Sequence, residues 1–577
     1  MPGPAEFVQR TVHALEAGGA AVWVRRGLGV VLVLGIALFY LIHEFRGLAT
    51  SQAMDQAQIG RNIANGEGFK TDMIRPLAIG QLQRAHKDVP QRIWSDTYNA
   101  PLPPLVDAIA LRPIKSSWKM TPRDVIYAGD KIIAFVTVCI FLASVVILFF
   151  IARRLFDDRL AILGCALVLV CDTLWQYSLS GLPQMLMLFI FNATLYALVR
   201  ALQAQTAGGA VGLWLAGVGA GFGLLALSHA LTIWIFLGAL IFIFFYFKPR
   251  GWAGLIVLGC FLVLYTPWLI RNWVVCGNPG GVAVYSFFDG VNHSEAGHMR
   301  RLAVDLEGVG TGFYKNKITG NLITQMGRLF ESLGWSAVAL TFFVSLLHLF
   351  RRKETAILRW MVLAMWGGAV LGMAVYGVTY EQGVAANQLH ILFIPIMTCY
   401  GLAYLLVQWN RLEIRMQLAR IGFITGLVVI CGLPMILALV MPTPRASVRW
   451  PPYIPPFISV INTWMKPNEV VASDIPWAVS WYADRRSIWL PESIATFTEF
   501  HDYGVVGAPL NGLYLTPVSG SSNNLGDILK GEYRDWAPVI LRSIDLQKFP
   551  LRWATLLGLE GECVFFADTD RQKLLVP

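Results

Sequence analysis

The sequence predicts an α-helical protein that crosses a membrane many times and carries a small α/β domain at its C-terminus. Three observations predict it. The 577 residues are 56% hydrophobic and only 14% charged, whereas soluble domains run near a quarter charged. Apolar runs of about 20 residues, the length that spans a hydrocarbon core, recur along the chain. The main Lys/Arg clusters fall at those run ends that share one side of the membrane. This composition excludes a soluble globular enzyme, a disordered chain and a nucleic-acid-binding protein built on basic tracts. The formal charge of +10 fits an excess of Lys and Arg in cytoplasmic loops and is weak grounds for an acidic partner. The eight cysteines make no disulfide framework. Six of them, Cys139, Cys165, Cys171, Cys260, Cys399 and Cys431, sit inside apolar runs, where cysteine is a small hydrophobe.

About eleven spans are expected from the apolar runs: 22–43, 129–152, 158–177, 182–203, 210–229, 231–248, 252–271, 333–351, 357–378, 388–409 and 420–441. Arg25 and Arg26 precede the first. Arg153, Arg154 and Arg159 follow the second, Lys248 and Arg250 the sixth, Arg351, Arg352 and Lys353 the eighth, and Arg411, Arg415 and Arg420 the tenth. All five clusters then lie on one side, which the positive-inside rule makes the cytoplasm. The first run reads as a signal anchor, because it is too long for a signal peptide and no small-residue cleavage site follows it. The expected organisation is a cytoplasmic lead 1–21, a transmembrane domain 22–441, and an outer α/β domain 442–577. The transmembrane domain carries large outer loops at 44–128 and 272–332. The tail opens with Pro442, Pro444, Pro451, Pro452, Pro455 and Pro456. It then alternates strand-like runs (Glu469–Ser473, Leu513–Thr516) with a helix-like stretch, Ser493–Phe500.

Chemistry or recognition is therefore expected on the outer face, next to the bilayer. A channel or pump would place ionisable residues mid-span, and these spans hardly do so. Asp172 and His229 fall toward outer ends. In the first outer loop, Ser51–Gly68 predicts a short surface helix with Ser51 as N-cap and Gly66 as its stop. Asp55 would lie in or near the first turn, three residues from Gln52 and on the same face. It is either a catalytic carboxylate at the water–lipid boundary or a helix-capping acid. The later Pro101-Leu102-Pro103-Pro104 run requires a rigid turn before a helix.

These segments resemble a known family. The acid near the start of a surface helix, the continuation Ile59-Gly60-Arg61-Asn62 to Gly66-Glu67-Gly68-Phe69, and the Pro-Leu-Pro-Pro turn look like GT-C glycosyltransferases. The similarity is to the family 39-like group of protein O-mannosyltransferases and lipid A aminoarabinose transferases. Pro267-Trp268-Leu269-Ile270-Arg271-Asn272, the helix opening Asn387-Gln388-Leu389-His390, and the tail motif Ser473-Asp474-Ile475-Pro476-Trp477 agree with it.

The resemblance implies a GT-C-like fold and a multi-pass protein of the bacterial inner membrane, with a cytoplasmic N-terminus and a periplasmic tail. It implies a glycosyltransferase that takes a sugar from a polyprenyl-phosphate donor to a protein, lipid or glycan acceptor by inverting displacement. Asp55 is then the candidate base and Arg271 the candidate phosphate ligand, or else a snorkelling anchor. Arg75 is a second cation for the donor, and Lys315 and Lys317 could guard donor entry. Asp96 and Asn99 could shape the acceptor side, and His390 could bind substrate or be a satisfied polar residue. A divalent metal is possible, but the loose trio His293, Glu295 and His298 does not define a site. The implied partners are membrane lipid, the lipid-linked sugar and the acceptor, with no nucleic acid. One departure matters. Relatives carry an Asp-Glu pair at the start of the loop helix, whereas the register here puts Gln52-Ala53 in that place. The alternative is therefore a GT-C-like scaffold without activity that docks a protein partner through its outer loops and tail.

Overall fold

The computed structural model describes residues 19–572, apart from 442–454, the stretches 290–296, 521–527, 530–531, 542–548 and 558–562, and positions 49, 92, 118, 122, 123, 125, 305, 308, 382 and 415. It forms two compact units that divide after Arg46. The first holds the apolar helix expected as an anchor, Arg26–Glu44. Residues 1–18 of the lead lie outside the described residues, as do Pro442, Pro444, Pro451 and Pro452 of the tail linker.

Among the described residues, six helices are long and apolar enough to cross a membrane, and up to eight spans result if each bent pair counts as one. One bent pair, Asp158–Leu169 with Asp172–Leu179, breaks by 59° at Cys171, whose backbone is extended. The other, Gln417–Cys431 with Leu433–Val440, breaks by 67° beside Pro434, which has no N–H to continue the ladder and clashes with the preceding turn. Two further apolar runs are shorter helices, Gly212–Ser228 and Thr232–Tyr246. The run 333–351 holds only the nine-residue helix Ala337–Ser345. Each expected span is thus helical, but length alone does not make every one a full crossing. Small residues let the helices approach closely: a Cβ at Gly219 would lie 2.3 Å from the Val257 carbonyl oxygen, and one at Gly401 would lie 1.9 Å from that of Val338.

The loop helix spans Ser51–Ala64. Its N-cap is Thr50, whose hydroxyl accepts from the Ala53 N–H at 3.2 Å, one residue before the expected cap. Asp55 therefore lies in the second turn rather than the first. The expected stop is correct: Gly66 follows the end of the helix at φ 86°, a conformation that favours glycine. The helix is packed inside the protein, with ten of its fourteen residues buried. It lies between the helix Leu102–Leu111, which starts in the Pro-Leu-Pro-Pro run, and the tail helix Pro476–Tyr482.

The tail is built on a six-stranded sheet. The strands in chain order are β1 Lys70–Thr71, β2 Met73–Ile74, β3 Trp94–Ser95, β4 Val470–Ser473, β5 Arg486–Trp489, β6 Leu510–Leu515, β7 Trp553–Leu556 and β8 Val564–Ala567. The large sheet has the order β2-β5-β4-β6-β8-β7. Strands β2, β5, β4 and β6 run parallel, and β8 is antiparallel to both β6 and β7. Strands β1 and β3 pair with each other. The expected strands and helix of the tail are present, with Ser493 capping Ile494–Asp502. Val470, Ala472, Ile488, Leu513, Phe497 and Trp536 share its core. The edge strand β2 comes from the first loop, so loop and tail form one body.

Two polar clamps fix that body. Arg61 donates to the carbonyls of Trp481 (2.8 Å) and Ser480 (2.7 Å) and pairs with Asp484 at 2.9 Å. Asp130, near the start of the helix Ala128–Leu155, accepts from the Trp481 indole at 2.7 Å and the Tyr482 hydroxyl at 2.9 Å.

Asp107 packs against Gly60, where a Cβ would lie 2.7 Å from its own. Burial alone pushes its carboxyl up to about 8, from an ordinary value of 3.8. The folded state therefore holds this proton more tightly than the unfolded chain does. The resulting stabilisation is full below about pH 4 and is lost as pH rises through about 8. The Asp107→Asn variant should match the wild type near pH 5 and exceed it by ~1–3 kcal/mol near pH 9, read from thermal unfolding in detergent. Parallel profiles for the two proteins would contradict this.

Candidate functional site

The loop helix, strand β2 and the segment 94–101 converge on one buried cluster. Asp55 leaves the second turn of the helix and is 1% exposed. Its Oδ2 accepts from Arg75 at 2.5 Å and from the Asn99 amide at 2.6 Å. Its Oδ1 accepts from the Gln58 amide at 3.1 Å. That same Gln58 nitrogen also donates to the Thr71 hydroxyl at 2.7 Å. Arg75 follows β2 and reaches a second carboxylate, Asp96, at 3.6 Å. The Asp96 side chain in turn accepts the backbone N–H groups of Asn99 (2.6 Å) and Tyr98 (3.2 Å), a local turn that fixes the segment.

Burial disfavours the Arg75 charge, but Asp55 and Asp96 raise its pKa above the ordinary arginine value. Asp96 is pushed up to about 6 by burial and by the charge of Asp55, against the pull of Arg75. One guanidinium thus holds two buried carboxylates together. A dication bridging the pair would need the place Arg75 occupies, so the cluster does not fit a metal site. Among the described residues, no three His, Cys, Asp or Glu side chains gather elsewhere as metal ligands. His293 and Glu295 lie outside the described residues.

Arg271 joins the cluster from the helix Trp252–Cys276. It donates to the Asp96 carbonyl and, at 2.9 Å, to Asn272 Oδ1. Its guanidinium lies 4.8 Å from the Trp268 ring centre and 5.2 Å from that of Phe69. Five of the residues singled out from sequence, Asp55, Arg75, Asp96, Asn99 and Arg271, therefore meet in space.

A cavity of about 400 Å³ adjoins the cluster, and Gln52, Thr97, Tyr98, Trp268 and Asn272 form part of its wall. The far side is largely aromatic and aliphatic, with Trp234, Leu237, Tyr265 and Tyr376. The Val282 N–H donates to the Thr97 carbonyl at 3.0 Å, closing the wall. Gly281, at φ 64°, permits that approach, since a Cβ there would lie 2.1 Å from the Thr97 oxygen.

Asp55 itself does not line this cavity. Gln52, one turn earlier on the same helix, does. Arg75 lies behind the cavity wall as well, 4.0 Å from the centre of the Tyr98 ring. Among the described residues, the wall contains no Lys or Arg and a single carboxylate, Asp289. Lys317 stands beside it and donates to the Phe287 carbonyl at 3.1 Å; burial lowers its pKa, with Asp289 opposing. His298 lies 3.2 Å from Asp289, and burial holds it near 4, so it is neutral at physiological pH. Lys315 is exposed. His390 is fully buried, accepts from the Trp366 indole at 3.0 Å and lines no described cavity, which makes it a helix-packing residue.

Glu381 is a contact that sequence reasoning missed. It lies in the connection after the helix Lys353–Tyr376 and accepts the Ser51 N–H at 2.7 Å and the Ser51 hydroxyl at 2.8 Å. A negative charge there favours the helix N-terminus. No local pattern links positions 330 residues apart.

No protein-family model and no curated protein matches the sequence. Solved structures do match the fold. ArnT from Cupriavidus metallidurans bound to undecaprenyl phosphate superposes with a TM-score of 0.56 at 11% identity, covering 96% of this chain and 99% of that one. The archaeal oligosaccharyltransferase AglB from Archaeoglobus fulgidus, with an inhibitory peptide and a dolichol-phosphate, gives 0.51 at 11% identity over 86% of this chain and 70% of the other. The Archaeoglobus fulgidus enzyme tethered to an acceptor peptide gives 0.52 at 12% identity over 94% and 74%. The chain is a multi-pass membrane protein with a GT-C-like fold and a small C-terminal α/β region.

Proposed function

We propose that this protein is a membrane glycosyltransferase that moves a sugar from a polyprenyl-phosphate donor to a protein, lipid or glycan acceptor. The observation that carries the reading is the buried Asp55–Arg75–Asp96–Asn99 cluster set against an aromatic cavity, within a fold shared with ArnT and AglB. Those structures hold undecaprenyl phosphate and a dolichol-phosphate, which supports an isoprenoid-phosphate donor for this chain. The basic clusters, read by the positive-inside rule, support placing the reaction on the periplasmic side of a bacterial inner membrane.

In the proposed reaction, the acceptor hydroxyl oxygen attacks the anomeric carbon as the bond from that carbon to the donor phosphate oxygen breaks, inverting the configuration. The phosphate leaves as an anion on the lipid, and the hydroxyl proton passes to a carboxylate. Asp55 is the proposed base. Arg75 and Asn99 occupy its Oδ2. Among the described residues, its Oδ1 is held by the Gln58 amide alone, which also donates to Thr71. Phosphate is already a good leaving group, so no separate acid is required. Arg271 is the proposed phosphate ligand, reached past Trp268 and Asn272.

A second reading has specific support. Gln52 faces the cavity where an acid would be expected, and Asp55 is already occupied; both favour a scaffold that keeps the fold without the chemistry. Purified protein in nanodiscs, given a panel of radiolabelled polyprenyl-phosphate sugars with candidate acceptors, separates the two. The transferase reading expects release of polyprenyl phosphate from at least one donor. Donor binding without release across the panel would favour the scaffold.

A further inference from the structure

A second cavity, of about 990 Å³, lies at the opposite end of the helix Ala128–Leu155 from Asp130 and the tail, with Leu155 in its wall. Those 28 residues span about 40 Å, which sets this cavity far from Asp130. Four arginines contribute to its wall: Arg159, Arg351, Arg352 and Arg420. Among the described residues none of the four is paired with a carboxylate. Arg352 donates only to the Arg154 carbonyl at 3.1 Å. The one acid in the wall, Asp157, is committed to capping the helix Asp158–Leu169, where it accepts the Leu160 N–H at 2.8 Å. Nearby Asp158 is taken by Arg153 at 2.6 Å.

The remainder of the wall is apolar and lies between helices, with Leu163, Val407, Ile421 and Ile424. Along the helix Gln417–Cys431, only Cys431 is buried, so protein leaves this side of the gap unfilled. Four unneutralised arginines at the rim of a greasy cleft call for a ligand with a phosphate at one end and acyl chains at the other. Guanidinium is suited to phosphate because it forks two parallel hydrogen bonds. Basic pockets between transmembrane helices bind anionic lipid headgroups for the same reason.

The geometry points to a bound anionic phospholipid, its headgroup among Arg159, Arg351, Arg352 and Arg420 and its acyl chains between the helices Asp158–Leu169 and Gln417–Cys431. This site does not depend on the function proposed above. It adds to the side-chain packing, such as the Trp409–Phe423 stack at 4.4 Å, that holds the bent pair Gln417–Cys431 and Leu433–Val440 to the bundle.

The test uses the full-length protein, delipidated in neutral detergent and followed by native mass spectrometry and thermal unfolding. Phosphatidylglycerol should bind at least tenfold more tightly than phosphatidylcholine and raise the melting temperature, while inorganic phosphate alone should not. Arg351→Gln/Arg352→Gln/Arg420→Gln should abolish that preference. Val407→Trp, which fills the acyl cleft and leaves the arginines intact, should also weaken retention. The matched Arg→Lys triple should keep part of the preference, which separates loss of charge from misfolding. Equal stabilisation by the two lipids would overturn the site. Stabilisation by phosphate alone would also overturn it, by reducing it to a free-anion site.

Discussion

Replacing Arg75 with methionine is expected to destabilise the protein by about 3–5 kcal/mol, the cost of stranding buried charge. Among the described residues, Arg75 is the one cation paired with both Asp55 and Asp96, at 2.5 and 3.6 Å. Without it, two buried carboxylates face each other in a low-dielectric interior, and one or both must take up a proton. The loss should therefore be largest at neutral pH and shrink as the medium turns acidic. Methionine preserves the packing on Tyr98, so a volume effect alone predicts a much smaller change. Adding Asp55→Asn to Arg75→Met should restore part of the loss, because the two residues act as a pair. Thermal unfolding of the four proteins of this cycle measures the coupling. Additive losses would mean that the ion pair does not hold the cluster together.

Much of this architecture was legible in the chain. The apolar runs announced each helical segment, because burying a hydrogen-bonded backbone in lipid leaves few alternatives to helix. The breaks at Cys171 and Pro434 were not foreseen; hydropathy averaged over about 20 residues passes over a local loss of backbone hydrogen bonding. The strand Val470–Ser473 and the helix capped by Ser493 were visible as local patterns. The two-residue strand Met73–Ile74 was not, because its only reason to be extended is β5, over 400 residues away. At the site, loop position singled out Asp55, and the family resemblance added Arg75, Asp96, Asn99 and Arg271. The sequence could not reveal that Arg75 spends its charge on two acids, that Gln52 and not Asp55 reaches the cavity, or that Glu381 closes the helix N-terminus. His390 stayed open between ligand and satisfied polar residue, because a polar residue at a helix entrance looks the same whether it faces a substrate or the Trp366 indole.

The second large effect concerns Asp55 itself. Asn is nearly isosteric; with its oxygen in the Oδ2 place it still accepts from Asn99 and Arg75, its amide nitrogen leaves Gln58 to its other partner Thr71, and Arg75 stays paired with Asp96. The Asp55→Asn variant should fold and bind the donor much as the wild type does. It loses only the ability to take a proton from the acceptor. A missing general base costs about 10²–10⁴-fold in rate. The direct measurement is single-turnover transfer from a polyprenyl-phosphate sugar, with donor binding determined on the same preparations. The account predicts transfer by the wild type, a loss of at least about a hundredfold in Asp55→Asn, and donor affinity within a factor of a few. Undiminished transfer by Asp55→Asn would contradict it.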